Sequence, residues 1–301
     1  MKNLMQRRDF LAASTGAAAL ALTPSLGYAA PRLPIKKGVL LSMLNGKLTY
    51  KERFQLAIDT GFEAIEAGTA KSADDAAQIL KASQQTGMRI HSVMNMSHWQ
   101  YPLSSADRSV VDKSVEGMQT SMQQAAMWGA ETVLLVPAVV NAQTSYGDAW
   151  KRSQIEIKKM IPMAEKLKVI IAVEEVWNKF LLSPIEFARY IDDFQSPWVR
   201  AYFDVGNVVL YGYPQDWIRT LGKRIIRLHL KDFTFRRDPN LKKSVADWVN
   251  LRDGEINWKE IHSALKDIGY SGYATVELGG DGEAAYLKDV SSRFDLILNG
   301  E

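Results

Sequence analysis

The chain of 301 residues contains no cysteine. That absence excludes disulfides, thiolate catalysis and cysteine-based zinc sites, and it leaves folding indifferent to the redox state of the compartment. Histidine is scarce at four residues, which argues against a histidine-rich centre of several metals such as an abasic-site endonuclease of similar fold would need. The net charge is only +3, and no Lys/Arg-rich run with interleaved aromatics occurs. Neither nucleic acid nor a membrane surface is therefore indicated as a partner. No apolar run is long enough to span a bilayer permanently. Gly-rich phosphate fingerprints are missing as well: SMLNGKL (residues 42–48) stands where a dinucleotide fold would carry one after its first strand.

What is present is a large soluble core, with 47% hydrophobic and 24% charged residues. From Lys36 onward, short apolar runs end near Leu44, Glu66, Val93, Val136, Glu175, Asp204, Lys231 and Leu278. Helical-period stretches lie between them: Tyr50–Thr60, Ala73–Thr86, Arg108–Trp128, Ala149–Leu167, Pro184–Phe194, Gln215–Leu221, Trp258–Ile268 and Glu283–Leu298. Gly61, Gly87, Gly129, Gly222 and Gly269 read as helix stops. Eight β/α units over residues 36–301, with no linker between them, predict a single closed (β/α)8 TIM barrel. A doubly wound open sheet is the alternative.

Ahead of the barrel, Arg7 and Arg8 precede Phe10, Leu11 and a mild apolar run that stops at Pro24. Residues 1–29 resemble a twin-arginine export signal, with Gly27 and Ala29 fitting small-residue cleavage after Ala29. The expectation is a periplasmic or otherwise exported protein that meets the twin-arginine machinery and inserts no permanent span. An ordinary amphipathic N-terminal helix is the alternative.

A barrel directs attention to the C-terminal ends of its strands, where side chains alternate between lumen and helices. The run VIIAVEEVWNKF (residues 169–180) drives an apolar strand directly into two adjacent carboxylates. With Ile171 and Val173 facing outward, Glu174 points inward and Glu175 away. The same parity turns Asp204 inward on the sixth strand, His229 and Lys231 on the seventh, and Glu277 on the eighth. It also turns Glu66 and His91 toward the lumen. Taken singly, these groups mark strand ends or a hydrogen-bonded interior histidine. Together they place three carboxylates and an imidazole at one end of one barrel, where like charges repel unless a cation separates them. Oxygen-rich ligation with one histidine suits Mn²⁺ first, and also Mg²⁺, Co²⁺ or Zn²⁺.

The segments AVEEVWNKF, YFDVGNVV, RLHLKDF and ATVEL, in that order, resemble the sugar phosphate isomerase/epimerase superfamily of xylose isomerase-like barrels. The likeness extends from Gly38 to Leu298. It implies Glu174, Asp204, His229 and Glu277 as metal ligands. It further implies proton transfer beside a carbonyl through an enediolate, with Glu174 and Glu277 as the catalytic pair working on opposite faces of a sugar. Many such epimerases carry a second histidine three positions after the aspartate, where this chain has Asn207. The departure leaves open a lyase or hydratase acting on a keto-sugar or inosose, and a non-catalytic sugar-binding barrel.

For a sugar, Glu66, His91, Asn207 and Lys231 are candidate polar contacts, and the loop NMSHWQYP (residues 95–102) adds His98 and Trp99. Trp99 and Trp177 offer aromatic platforms or, alternatively, packing across the barrel top. Asp232 is expected to orient the His229–Lys231 strand end. No phosphate cradle is announced, which together with export favours an unphosphorylated sugar. Assembly of several copies is left open.

Overall fold

A computed structural model describes residues 31–238 and 243–301. The expected export signal, residues 1–29, lies outside the described residues. Strands β1 (Ile35–Leu40), β2 (Ala64–Gly68), β3 (Arg89–Met94), β4 (Thr132–Leu135), β5 (Ile170–Glu174), β6 (Val199–Asp204) and β7 (Ile225–Leu230) alternate with helices. An antiparallel hairpin, β8 (Asp232–Asp238) and β9 (Lys243–Val249), interrupts the alternation before β10 (Gly272–Val276) completes the barrel. The closed order is β1-β10-β7-β6-β5-β4-β3-β2, with every neighbouring pair parallel. The expected (β/α)8 TIM barrel is the fold, and the open sheet is excluded by closure of β1 onto β10.

Helices α1 (Tyr50–Asp59), α2 (Ala73–Thr86), α3 (Arg108–Trp128), α4 (Tyr146–Leu167), α5 (Pro184–Asp192), α6 (Pro214–Leu221), α7 (Trp258–Asp267) and α8 (Ala284–Leu298) surround the strands. Short polar side chains fix where several of them begin. Thr49 and Glu52 form a reciprocal capping box, and Ser72, Asp107, Ser145, Ser183 and Asn257 each accept a first-turn backbone N–H. Ser145 explains why α4 starts three residues before the expected Ala149. Gly87 and Gly129 close α2 and α3 with φ of 74° and 72°, values costly for any residue with a Cβ. Among the described residues no helix is long and apolar enough to cross a membrane.

The lumen is filled in layers that rise toward the C-terminal mouth. At the floor the Arg227 guanidinium lies 5.2 Å above the Tyr273 ring and pairs with Glu131 at 2.7 Å. His91 also stacks on Tyr273, with ring centroids 4.6 Å apart. Its Nε2 meets Thr275 Oγ1 at 2.8 Å. Gly38 of β1 is what leaves room for that pair, because a Cβ there would come within 2.8 Å of Thr275 Oγ1 and 2.9 Å of His91 Nε2. Above this layer the carboxylates converge.

Two expectations shift. The apolar run GVLLSML ends its strand at Leu40 rather than near Leu44, because Leu41–Met43 turn into a 3-10 helix that buries Leu41 and Met43. Asp232 serves the hairpin rather than the preceding strand. Its carboxylate accepts the Phe233 and Arg252 backbone N–H groups and the Trp258 indole N–H, each at 2.9 Å, which ties the return segment down.

Candidate metal centre and adjoining cavity

Glu174, Asp204, His229 and Glu277 each present one ligand atom, and these atoms lie within 4.8 Å of one another. Consecutive strands β5, β6, β7 and β10 supply them, so closure of the barrel, not sequence proximity, makes the cluster. His229 turns Nδ1 toward the carboxylates, 2.9 Å from Glu174, 3.4 Å from Glu277 and 3.8 Å from Asp204. Its Nε2 donates to Glu66 Oε2 at 3.2 Å, and the Tyr202 hydroxyl donates to the same oxygen.

Each ligand is held by a neighbour. Asp204 Oδ1 accepts the Gly206 and Asn207 backbone N–H groups, both at 2.8 Å, which leaves Oδ2 for the centre. The Asp204 N–H in turn donates to Glu175 Oε1 at 2.9 Å. Glu175 therefore stands behind the cluster, on the side that parity assigned to it. Lys231 Nζ closes the upper side, 2.8 Å from Asp204 Oδ2 and 2.6 Å from Glu277 Oε2.

The electrostatics follow from this crowding. Burial, then Asp204 and Glu174, push Glu175 well above the ordinary carboxylate range. Burial also pushes Glu174 up, partly offset by His229. Burial acts on Glu277 in the same direction, yet His229 and Lys231 outweigh it and hold that carboxyl low.

The donor set fits a divalent cation. Three carboxylates with one imidazole nitrogen, mutually within 4.8 Å and braced by Glu66, Glu175 and backbone N–H groups, match oxygen-rich octahedral ions.

Above the cluster opens a cavity of about 290 Å³, walled by His98, Trp99, Val136, Val139, Val176, Trp177, Asn178, Asn207, Lys231 and Trp248 with Glu174 and Glu277. His98, Trp99, Trp177, Asn207 and Lys231 thus gather here as the sequence suggests. Asn207 is nonetheless committed, since its amide donates to the Glu175 carbonyl at 2.9 Å. Glu66 and His91 are placed elsewhere: both are fully buried one layer lower, against His229 and Thr275. Glu66 braces His229, and His91 packs in the lumen floor on Thr275 and Tyr273; neither lines the cavity.

Trp248 of β9 was not anticipated. Its ring stacks on Trp177 at 4.8 Å and lies 4.9 Å beneath Lys231 Nζ. The Trp177 indole N–H donates to the Asn207 carbonyl at 2.9 Å. The hairpin therefore supplies one wall of the cavity. Its sequence signal is the alternation in FTF (residues 233–235) and the Asp238-Pro239-Asn240 turn residues that follow.

A family model described as Xylose isomerase-like TIM barrel matches residues 54–293. The chain is 27% identical over 254 residues to a putative L-ribulose-5-phosphate 3-epimerase, SgbU, of Haemophilus influenzae, covering 81% of this chain and 88% of that protein. The solved structure of an L-ribulose 3-epimerase superposes with a TM-score of 0.73 at 18% identity, covering 88% of this chain and 94% of that one. A xylose isomerase-like TIM barrel protein from Mycobacterium smegmatis, solved in complex with magnesium, gives 0.68 at 16% identity over 90% and 98% of the two chains. With the matched model spanning most of the described barrel, this chain belongs to the xylose isomerase-like TIM barrel family.

Proposed function

We propose that the protein is a divalent-metal-dependent sugar epimerase or isomerase that moves a proton beside a carbonyl. The observation that carries this reading is the convergence of Glu174, Asp204, His229 and Glu277 beneath a cavity walled by tryptophans. A bound divalent ion supplies positive charge where an oxyanion develops as the C–H beside a carbonyl loses its proton. The chain's own groups do the rest. Glu174 and Glu277 flank the cluster from β5 and the end of β10, so one can remove a proton from one face of a sugar and the other return one to the opposite face. Trp99, Trp177 and Trp248 offer flat apolar surfaces to sugar C–H faces.

An unphosphorylated sugar or glycoside is the favoured substrate class, although SgbU is named for a phosphorylated one. Among the described residues lining the cavity Lys231 is the one basic side chain, and Asp204 and Glu277 already engage it. Arg7 and Arg8 favour export, and an exported enzyme would meet extracytoplasmic sugars.

The test is incubation with Mn²⁺ or Mg²⁺ and a panel of ketoses and 3-keto-glycosides in D₂O, with deuterium located by NMR. Exchange at a carbon next to the carbonyl is expected, and it should vanish on chelation. An eliminated group in the product would move the protein to the lyases. Neither exchange nor product across the panel would defeat the reading.

A further inference from the structure

His98 sits on the 3-10 turn Ser97–Trp99 that follows β3. In the closed strand order three strands separate β3 from β7 in either direction, so this turn faces the His229 strand from across the mouth. The imidazole is 2% exposed and forms part of the cavity wall with Glu174, Lys231 and Glu277. Its Nδ1 accepts the Val136 backbone N–H at 3.1 Å. A nitrogen that accepts carries no proton, so the neutral ring carries its proton on Nε2. Burial holds the group down at about 3 and thereby keeps it neutral. Trp99 meets the ring edge-on, with centroids 4.4 Å apart, and fixes its plane.

That Nε2–H finds no partner in the protein. His91 offers the contrast. It also leaves one ring nitrogen unpaired, yet it lies below the cavity and pairs its other nitrogen with a hydroxyl that can either give or take a proton. For His98 the backbone donor removes that freedom, and the unmet group is a buried donor on a side chain that lines the cavity beside Glu174, Lys231 and Glu277. Such a donor is costly unless a ligand oxygen meets it.

We propose that His98 is a specificity-determining sugar contact, a neutral imidazole locked as the Nε2–H tautomer that donates to a substrate oxygen on the side of the cavity opposite the His229 strand. The inference rests on the sugar reading above and deepens it. A neutral single donor selects hydroxyl, ring or carbonyl oxygens, and it offers a phosphate none of the charge that Arg or Lys would.

Two substitutions separate the ring's two ends. His98→Asn keeps an acceptor near Nδ1 for the Val136 N–H but stops short of the cavity. His98→Gln reaches the Nε2 position with an amide donor. Calorimetric titration of L-ribulose into the Mg²⁺-loaded wild type and both variants should find His98→Gln close to wild type and His98→Asn weaker by about tenfold. In parallel, ¹⁵N NMR of histidine-labelled free protein should show His98 protonated on Nε2. An Nδ1-protonated ring, wild-type affinity in His98→Asn, or equal losses in both variants would overturn the proposal. The readout is binding and tautomer, not turnover. A wild type that binds L-ribulose without deuterium exchange removes the epimerase reading while the order of the two variants still decides the role of His98.

Discussion

Replacing Glu66 with Gln isolates the brace beneath the metal ligands. Glu66 Oε2 receives both the His229 Nε2–H, at 3.2 Å, and the Tyr202 hydroxyl. A single amide oxygen can receive the same two donors, so the substitution keeps shape and hydrogen-bond count and removes only charge. Hydrogen bonds to a charged group are worth about twice neutral ones, a difference of about 1 kcal/mol for the His229 bond. Loss of a carboxylate directly behind the imidazole also weakens Nδ1 as a donor. Outer partners of metal-bound histidines commonly contribute about 10–100-fold in affinity, and a neutral isostere that keeps both bonds should sit at the lower end, about tenfold. Mn²⁺ and Mg²⁺ titrations by calorimetry measure this, with circular dichroism to verify that the variant is folded. Tyr202→Phe is the companion, since it removes one donor to Glu66 without touching the charge and should cost less. A Glu66→Gln protein that binds metal within twofold of wild type would refute the claim that Glu66 sets the donor strength of His229.

Three further outcomes are expected. Glu174→Gln and Asp204→Asn should each lower metal content measured by elemental analysis, and full occupancy in both would sink their assignment as ligands. Gly38→Ala should destabilise by about 1–3 kcal/mol in urea unfolding, because its Cβ would press on Thr275 Oγ1 and His91 Nε2 at 2.8 and 2.9 Å; an unchanged midpoint would show that the lumen floor has slack. His98 titrates near 6.5 in an unfolded chain and at about 3 here, so its contribution is fully present above pH 6.5 and is lost as pH falls toward 3. Between pH 7 and 5 the wild type should therefore lose about 2 kcal/mol that His98→Asn does not, and parallel pH profiles would contradict a neutral native imidazole.

Strand parity carried most of the site, and the reason is geometric. In a barrel the side-chain period of two leaves each strand residue only lumen or helix, so outward-facing Leu228 and Leu230, both buried in the core, force His229 inward. Depth is a different matter. Parity gave Glu66 and His91 the correct face but not the layer, because the stagger between strands sets height and no local pattern encodes it. The end of β1 escaped for another reason: a buried turn and a buried strand present the same apolar letters, and Leu41–Met43 pack inward either way. Trp248 lay in a stretch whose turn residues were legible, yet only the folded hairpin returns it to the mouth, where it stacks on Trp177.

The adjacent acids Glu174 and Glu175 show why two carboxylates can end one strand. Alternation sends the first into the lumen, 2.9 Å from His229, and the second to the far side of the same strand. There Glu175 does not surface. It is buried and receives the Asp204 N–H, while its carbonyl receives the Asn207 amide. The family resemblance implies a second histidine at position 207, and here the Asn207 amide donates to the Glu175 carbonyl and joins β5 to β6. Asn207→His should strip the Glu175 carbonyl of its partner and loosen Asp204 before it improves any sugar contact. A rise in metal affinity on Asn207→His, measured by the same calorimetric titration, would contradict that order of effects.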